Sequence, residues 1–176
     1  MDQSRRRLLL GSAACAASLV VASCGLTKTT GTAEVRHSNK AALPRGTLAL
    51  VRVRAPGQAQ DVLDTVRSLV ATSFTHAGYI RELVGEGEPC ELFVDVELTK
   101  VELIPDMARY LAGVLAPRNT IAGTVTVYES QSGGWQRLRE ITAEGRGAVS
   151  FQGGQSGVFN AAEEFAQRAV AALHGG

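Results

Sequence analysis

Histidine, cysteine, catalytic motifs and an excess of either charge are all scarce in this chain, and each shortage closes a class of function. The 176 residues hold three histidines. His37 lies in a polar stretch, His76 near the end of a helical pattern and His174 at the C-terminus, none with a Cys, His or acidic neighbour at metal-ligand spacing, so no metal centre is expected. The cysteines are Cys15, Cys24 and Cys90. The first two fall in the N-terminal segment discussed next, which leaves Cys90 as the single thiol of the folded part and excludes an intramolecular disulfide after processing. With no His or second Cys near it in sequence, Cys90 reads as a small, half-buried hydrophobe at a strand end rather than a redox thiol. The formal charge of +1, from 18 basic and 17 acidic residues, falls to −1 once Arg5, Arg6, Arg7 and Asp2 leave with the leader. A near-neutral domain has neither the basic footprint of a nucleic-acid binder nor a polybasic patch for anionic lipid. Gly154-Gln155-Ser156-Gly157 lacks the second glycine spacing of a nucleophile elbow and the Lys-Ser/Thr ending of a phosphate loop. Asp95 and Glu97 share one face of a strand and suit a solvated sheet surface better than an acid/base pair. No catalytic residue and no cofactor is implied.

What the chain does have is an address. Arg5-Arg6-Arg7 leads into an apolar core from Leu8 to Ala22, about fifteen residues, against the roughly 20 needed to span a bilayer. That is a secretory signal, and Arg5 and Arg6 within Ser4-Arg5-Arg6-Arg7-Leu8-Leu9-Leu10 also fit a twin-arginine export signal, so both export routes stay open. Val21-Ala22-Ser23-Cys24 is the small, uncharged tetrad that a lipoprotein signal peptidase cleaves between Ser23 and Cys24. Cys24 is then expected to carry lipid on its thiol and its freed amine. Each buried CH₂ contributes roughly 0.8 kcal/mol and more than one acyl chain gives stable anchoring, so the membrane is engaged through the lipid on Cys24 alone.

Three regions follow: a signal peptide over 1–23, a lipidated Cys with a flexible tether over 24–46, and one α/β domain over 47–174. The tether assignment rests on Thr27, Thr29, Thr30, Gly31, Thr32, Ser38 and Asn39 with almost no large apolar residue. A strand is expected from Thr47 to Arg54, then a helix from Gln60 to Ala77 with Val62, Val66, Leu69, Val70 and Phe74 on one face and Gly78 as C-terminal cap. Glu91 to Leu103 alternates cleanly until its apolar phase jumps to Val101, which predicts a β-bulge near Thr99-Lys100. Asp106 to Ala116 has helical spacing, and it is expected either to cover one end of the core or to offer Tyr110 and Val114 for contact with a partner. Thr120 to Glu129 and Trp135 to Val149 form a hairpin whose second strand is weakened by Gly145 and Gly147. The last helix carries an apolar stripe from Val158 to Leu173, with Asn160 and Glu163 at capping-box spacing. The expected fold is α+β: a two-layer sandwich with two long helices on one face of a mainly antiparallel four-stranded sheet.

In layout, with Cys24, a polar tether, Arg109-Tyr110-Leu111-Ala112-Gly113 ahead of a hairpin and Gly153-Gly154 before the last helix, the chain resembles uncharacterised bacterial envelope lipoproteins of the domain-of-unknown-function kind. A similar layout occurs in lipoproteins that activate peptidoglycan synthases and in the lipoprotein that plugs the lipopolysaccharide-assembly barrel. The resemblance implies a non-enzymatic accessory or binding module, lipid-anchored in the outer membrane and facing the periplasm, with an envelope protein as partner. The alternatives are a barrel-plug lipoprotein of the lipopolysaccharide-assembly type and an envelope hydrolase whose site is not recognisable.

Overall fold

The computed structural model describes residues 30–39, 42–104, 118–147 and 155–174. The elements are β1 (Thr30–Ser38), β2 (Thr47–Arg54), α1 (Gln60–His76), β3 (Ile80–Leu83), β4 (Leu92–Glu102), β5 (Thr120–Gln131), β6 (Gly134–Arg146) and α2 (Gln155–His174). They build one six-stranded mixed sheet in the order β1-β6-β5-β4-β2-β3. Strand β2 runs parallel to both β3 and β4, and the β4-β5, β5-β6 and β6-β1 pairs are antiparallel.

Alternation fixes which face the helices cover. Leu92, Val94, Val96 and Leu98 of β4 are buried, as are Ile121, Val125 and Val127 of β5 and Ile141 and Ala143 of β6. Against them lie Val62, Val66, Val70 and Phe74 of α1 and Ala161, Ala162, Phe165, Ala166, Ala169 and Leu173 of α2, all buried. Among the described residues Phe74 and Phe165 are the largest fully buried side chains, each contributing roughly 1.5–3 kcal/mol by leaving water. The small residues of α2 let it sit close. A Cβ added to Gly145 would fall on the Ala161 carbonyl and the Phe165 amide and lie 2.8 Å from Phe165 Cα. The glycines read as weakening β6 are therefore what lets a helix backbone touch a strand backbone.

Helix α1 ends as its sequence demands. Gly78 takes a left-handed φ of 78°. Its N–H donates to the Thr75 carbonyl at 2.9 Å and that of Tyr79 to the Phe74 carbonyl at 3.0 Å, a Schellman closure. The Phe74 and Tyr79 rings, 6.0 Å apart, supply its apolar contact. The β4 bulge also stands where the phase jump puts it, in the register shift between Leu98 and Lys100.

The expectation of a mainly antiparallel four-stranded sheet is corrected to six strands and mixed direction. Strand β3 has only four residues, too short for alternation to show, and of these only Ile80 is buried. Strand β1 occupies part of the stretch read as tether. It is an edge strand with one ladder, its residues Thr32 to Glu34 and Arg36 to Ser38 are exposed, and such a strand needs no apolar face. The capping box at Asn160 is corrected too, because α2 begins at Gln155 and Asn160 lies inside it. The fold remains α+β.

A candidate binding surface on the open sheet face

Both described helices cover the same face, and the opposite face is built in rows by strand register. Leu50, Phe93, Tyr128 and Arg137 form one row across four strands. The next is Arg52, Asp95, Thr126, Glu140 and His37, and the next Arg54, Glu97, Thr124, Thr142 and Glu34. The surface is thus apolar at the β5-β6 hairpin end and polar beyond it.

Phe93 is the centre of the apolar end. Tyr128 stacks beside it with centroids 5.7 Å apart and planes 20° apart, while Trp135, 49% exposed, tilts against it at 5.7 Å. The Arg52 guanidinium lies 4.8 Å from the Phe93 centroid, a cation–π contact that also extends the flat surface. Arg52 is held in turn. Its Nε donates to Asp95 Oδ1 at 3.1 Å, and Arg54 Nη2 donates to Asp95 Oδ2 at 2.7 Å. Asp95 keeps 12% side-chain exposure, with both oxygens engaged by cations. It is therefore committed to positioning Arg52 and Arg54, and Glu97 stands exposed one row on. Chemically this is a binding surface: aromatic faces, a guanidinium and rows of hydroxyls and carboxylates.

A second concavity, of about 600 Å³, lies between the β2 edge and α1. Val51, Val53, Leu63, Arg67, Leu83 and Glu86 are among its lining residues.

The other residues singled out by sequence separate. Among the described residues no group of three or more His, Cys, Asp and Glu could hold a metal ion. His174 stacks on Tyr79 at 5.6 Å and its Nδ1 lies 3.2 Å from the Tyr79 hydroxyl, so it fastens the end of α2. Cys90 is half-buried, and burial pushes its thiol above the ordinary range against a smaller opposing pull from hydrogen bonding with the Leu50 backbone. Arg5, Arg6, Ser23, Cys24, Tyr110 and Val114 lie outside the described residues. No described helix is long and apolar enough to cross a membrane. Sequence reasoning missed the aromatic cluster because Phe93, Tyr128 and Trp135 come from three strands. The signal for it was a large aromatic at the outward phase of two neighbouring strands.

No protein-family model matches the chain and no curated protein matches it in sequence. Its fold is shared. A PelC dodecamer from Paraburkholderia phytofirmans is 12% identical over 82% of this chain and 97% of that one, with a TM-score of 0.58. A single-residue variant of that dodecamer, in another crystal form, is 16% identical over the same shares, with a TM-score of 0.55. A protein from Xanthomonas campestris of the DUF330 family model is 17% identical over 82% of this chain and 91% of that one, with a TM-score of 0.47. At these identities the first two show the fold alone.

Proposed function

We propose that this protein is a lipid-anchored accessory module of the cell envelope, non-enzymatic, that binds an envelope partner and works as an assembly of several copies. The observation that carries the binding reading is the open sheet face, where Phe93, Tyr128, Trp135 and Arg52 present a continuous aromatic and cationic surface on the side away from both described helices. Interface cores favour such side chains. Anchoring rests on the Val21-Ala22-Ser23-Cys24 tetrad, and an outer-membrane site facing the periplasm follows from the resemblance in layout. The assembly reading is supported by the fold shared with PelC, which crystallises as a dodecamer in two forms. Tyr110 and Val114 remain proposed as further partner contacts on the strength of their sequence pattern.

The test is photo-crosslinking of the lipidated, full-length protein in native membranes with the probe at position 128, and identification of what is joined. An envelope protein captured by the parent and lost with Trp135→Ala supports the reading. A released low-molecular-mass product from added envelope material, dependent on this protein, would replace it with the hydrolase reading.

A further inference from the structure

We propose that neighbouring copies of this chain join edge to edge, with β1 of one against the free upper half of β2 in the next, in one continued sheet. The proposal rests on the reading that the protein works as several copies, and it names the surface.

The hydrogen-bond parity of the sheet leads to it. Thr47 N–H donates to the Tyr79 carbonyl at 3.1 Å and Val84 N–H to the Ala49 carbonyl at 3.0 Å, so odd-numbered residues of β2 turn their peptide groups toward β3. The β2-β3 register stops at Ala49. Beyond it the N–H and C=O groups of Val51 and Val53 face the 600 Å³ groove beside α1, with no described strand alongside. At the far end of the sheet, Gly147 N–H donates to the Asn119 carbonyl at 2.9 Å, which turns odd-numbered residues of upper β6 toward β5 and even-numbered ones toward β1. Glu34 and Thr32, paired with Thr142 and Glu144, therefore face β6, and Gly31, Ala33 and Val35 turn their peptide groups outward.

These two edges fit. A copy in the same orientation presents β1 antiparallel to β2, because three antiparallel steps and one parallel step separate them. Following the rows, Val53 is level with Val96, Val125, Ile141 and Val35. An unstaggered joint then sets Val35 opposite Val53 with both peptide groups facing, a hydrogen-bonded pair. Arg54 comes opposite Glu34, and both side chains are more than half exposed, at 52% and 64%. Ser38 is level with Val51, so the β1 strand ends above the point where the β2-β3 register stops. Val35 is small enough to enter the groove over α1 of the next copy. Each copy gives one edge and receives the other, a heterologous contact that closes as a ring when the rotation allows.

The experiment uses the full-length protein, processed and lipidated, in detergent and in a Cys90→Ser background. Directly opposed non-hydrogen-bonded residues lie about 4.5 Å apart at Cα, within disulfide reach. Glu34→Cys with Arg54→Cys in one chain is expected to give a ladder of covalent multimers on mild oxidation. Glu34→Cys alone should give no covalent dimer. Val35→Pro, which removes an outward N–H and leaves the β6 ladder whole, should weaken association at least tenfold by mass photometry, while Val35→Ala, which loses the same core packing but keeps the N–H, should associate like the parent. Ala33→Pro, outward but above the end of β2, should leave association unchanged. A Glu34→Cys homodimer, or multimers of parent mass with no ladder, would overturn this joint while leaving the assembly reading standing. A parent protein monomeric at every concentration would overturn both.

Discussion

Gly145→Ala is the sharpest test of how α2 is held on the sheet. The added methyl would fall on the Ala161 carbonyl and the Phe165 amide and lie 2.8 Å from Phe165 Cα, where ordinary contact begins at 3.4 Å. All three are helix backbone, so no rotamer change relieves the clash, and the helix must lift by at least about 0.6 Å. A radial gap of that size forfeits roughly a quarter of each contact's attraction. A side chain the size of Phe165 makes about 50 contacts of roughly 0.15 kcal/mol, so its loss alone is about 2 kcal/mol. With Ala161, Ala162 and Ala166 sharing the lift, the expected destabilisation is about 3 kcal/mol, near the top of the range for overpacking. In a domain of this size that lowers Tm by about 10 °C. The assay is thermal and urea unfolding followed by circular dichroism, with Gly133→Ala as control. Gly133 has nothing within 4 Å of an added Cβ and should change stability by less than about 0.5 kcal/mol. A Gly145→Ala protein as stable as that control would refute the claim that the strand and helix backbones touch.

Three further outcomes are expected. Cys24→Ser should move the signal-cleaved protein from the membrane fraction to the soluble one without changing its Tm; retention in the membrane would contradict the single lipid anchor. Because burial raises the Cys90 thiol, its reaction with iodoacetamide should be slower than that of a free cysteine at pH 8 and should climb at higher pH than usual. The neutral thiol's contribution to stability is complete below the unfolded value of about 8.5 and is lost as pH rises through the folded one, so a thiol reactive at neutral pH would count against this. Asp95→Ala should cost about 1 kcal/mol, discounted for the exposure of Arg52 and Arg54, and should weaken partner capture by freeing Arg52 from its place over Phe93; unchanged capture would detach the ion pairs from the binding surface.

What the sequence revealed followed burial. Both helices show their apolar stripes, and β4 shows its alternation and its bulge, because these elements put large residues into the core on a fixed period. Strand β1 was illegible for the opposite reason: Thr32, Glu34 and His37 face water and its partner β6 is far along the chain, so neither composition nor local pattern marks it. Glu163 bonds Gln167 at 3.2 Å along the helix instead of closing a cap, since the helix had already begun upstream. The aromatic cluster joins residues from β4, β5 and β6, and only register brings them together.

The pairing of Thr30 with Arg146 also sets an order of events. Strand β1 is synthesised first, yet its one ladder partner in the chain is the last strand made, more than a hundred residues later. Closing so distant a contact is slow, and an unpaired strand is exposed to wrong partners while it waits. If the chain crosses a membrane unfolded, that wait takes place outside the cytoplasm, with the strand still open. If it crosses folded, the sheet must be complete before export begins. The β1 edge of the sheet, the one nearest the N-terminus, is thus the edge whose closure waits longest on the rest of the chain.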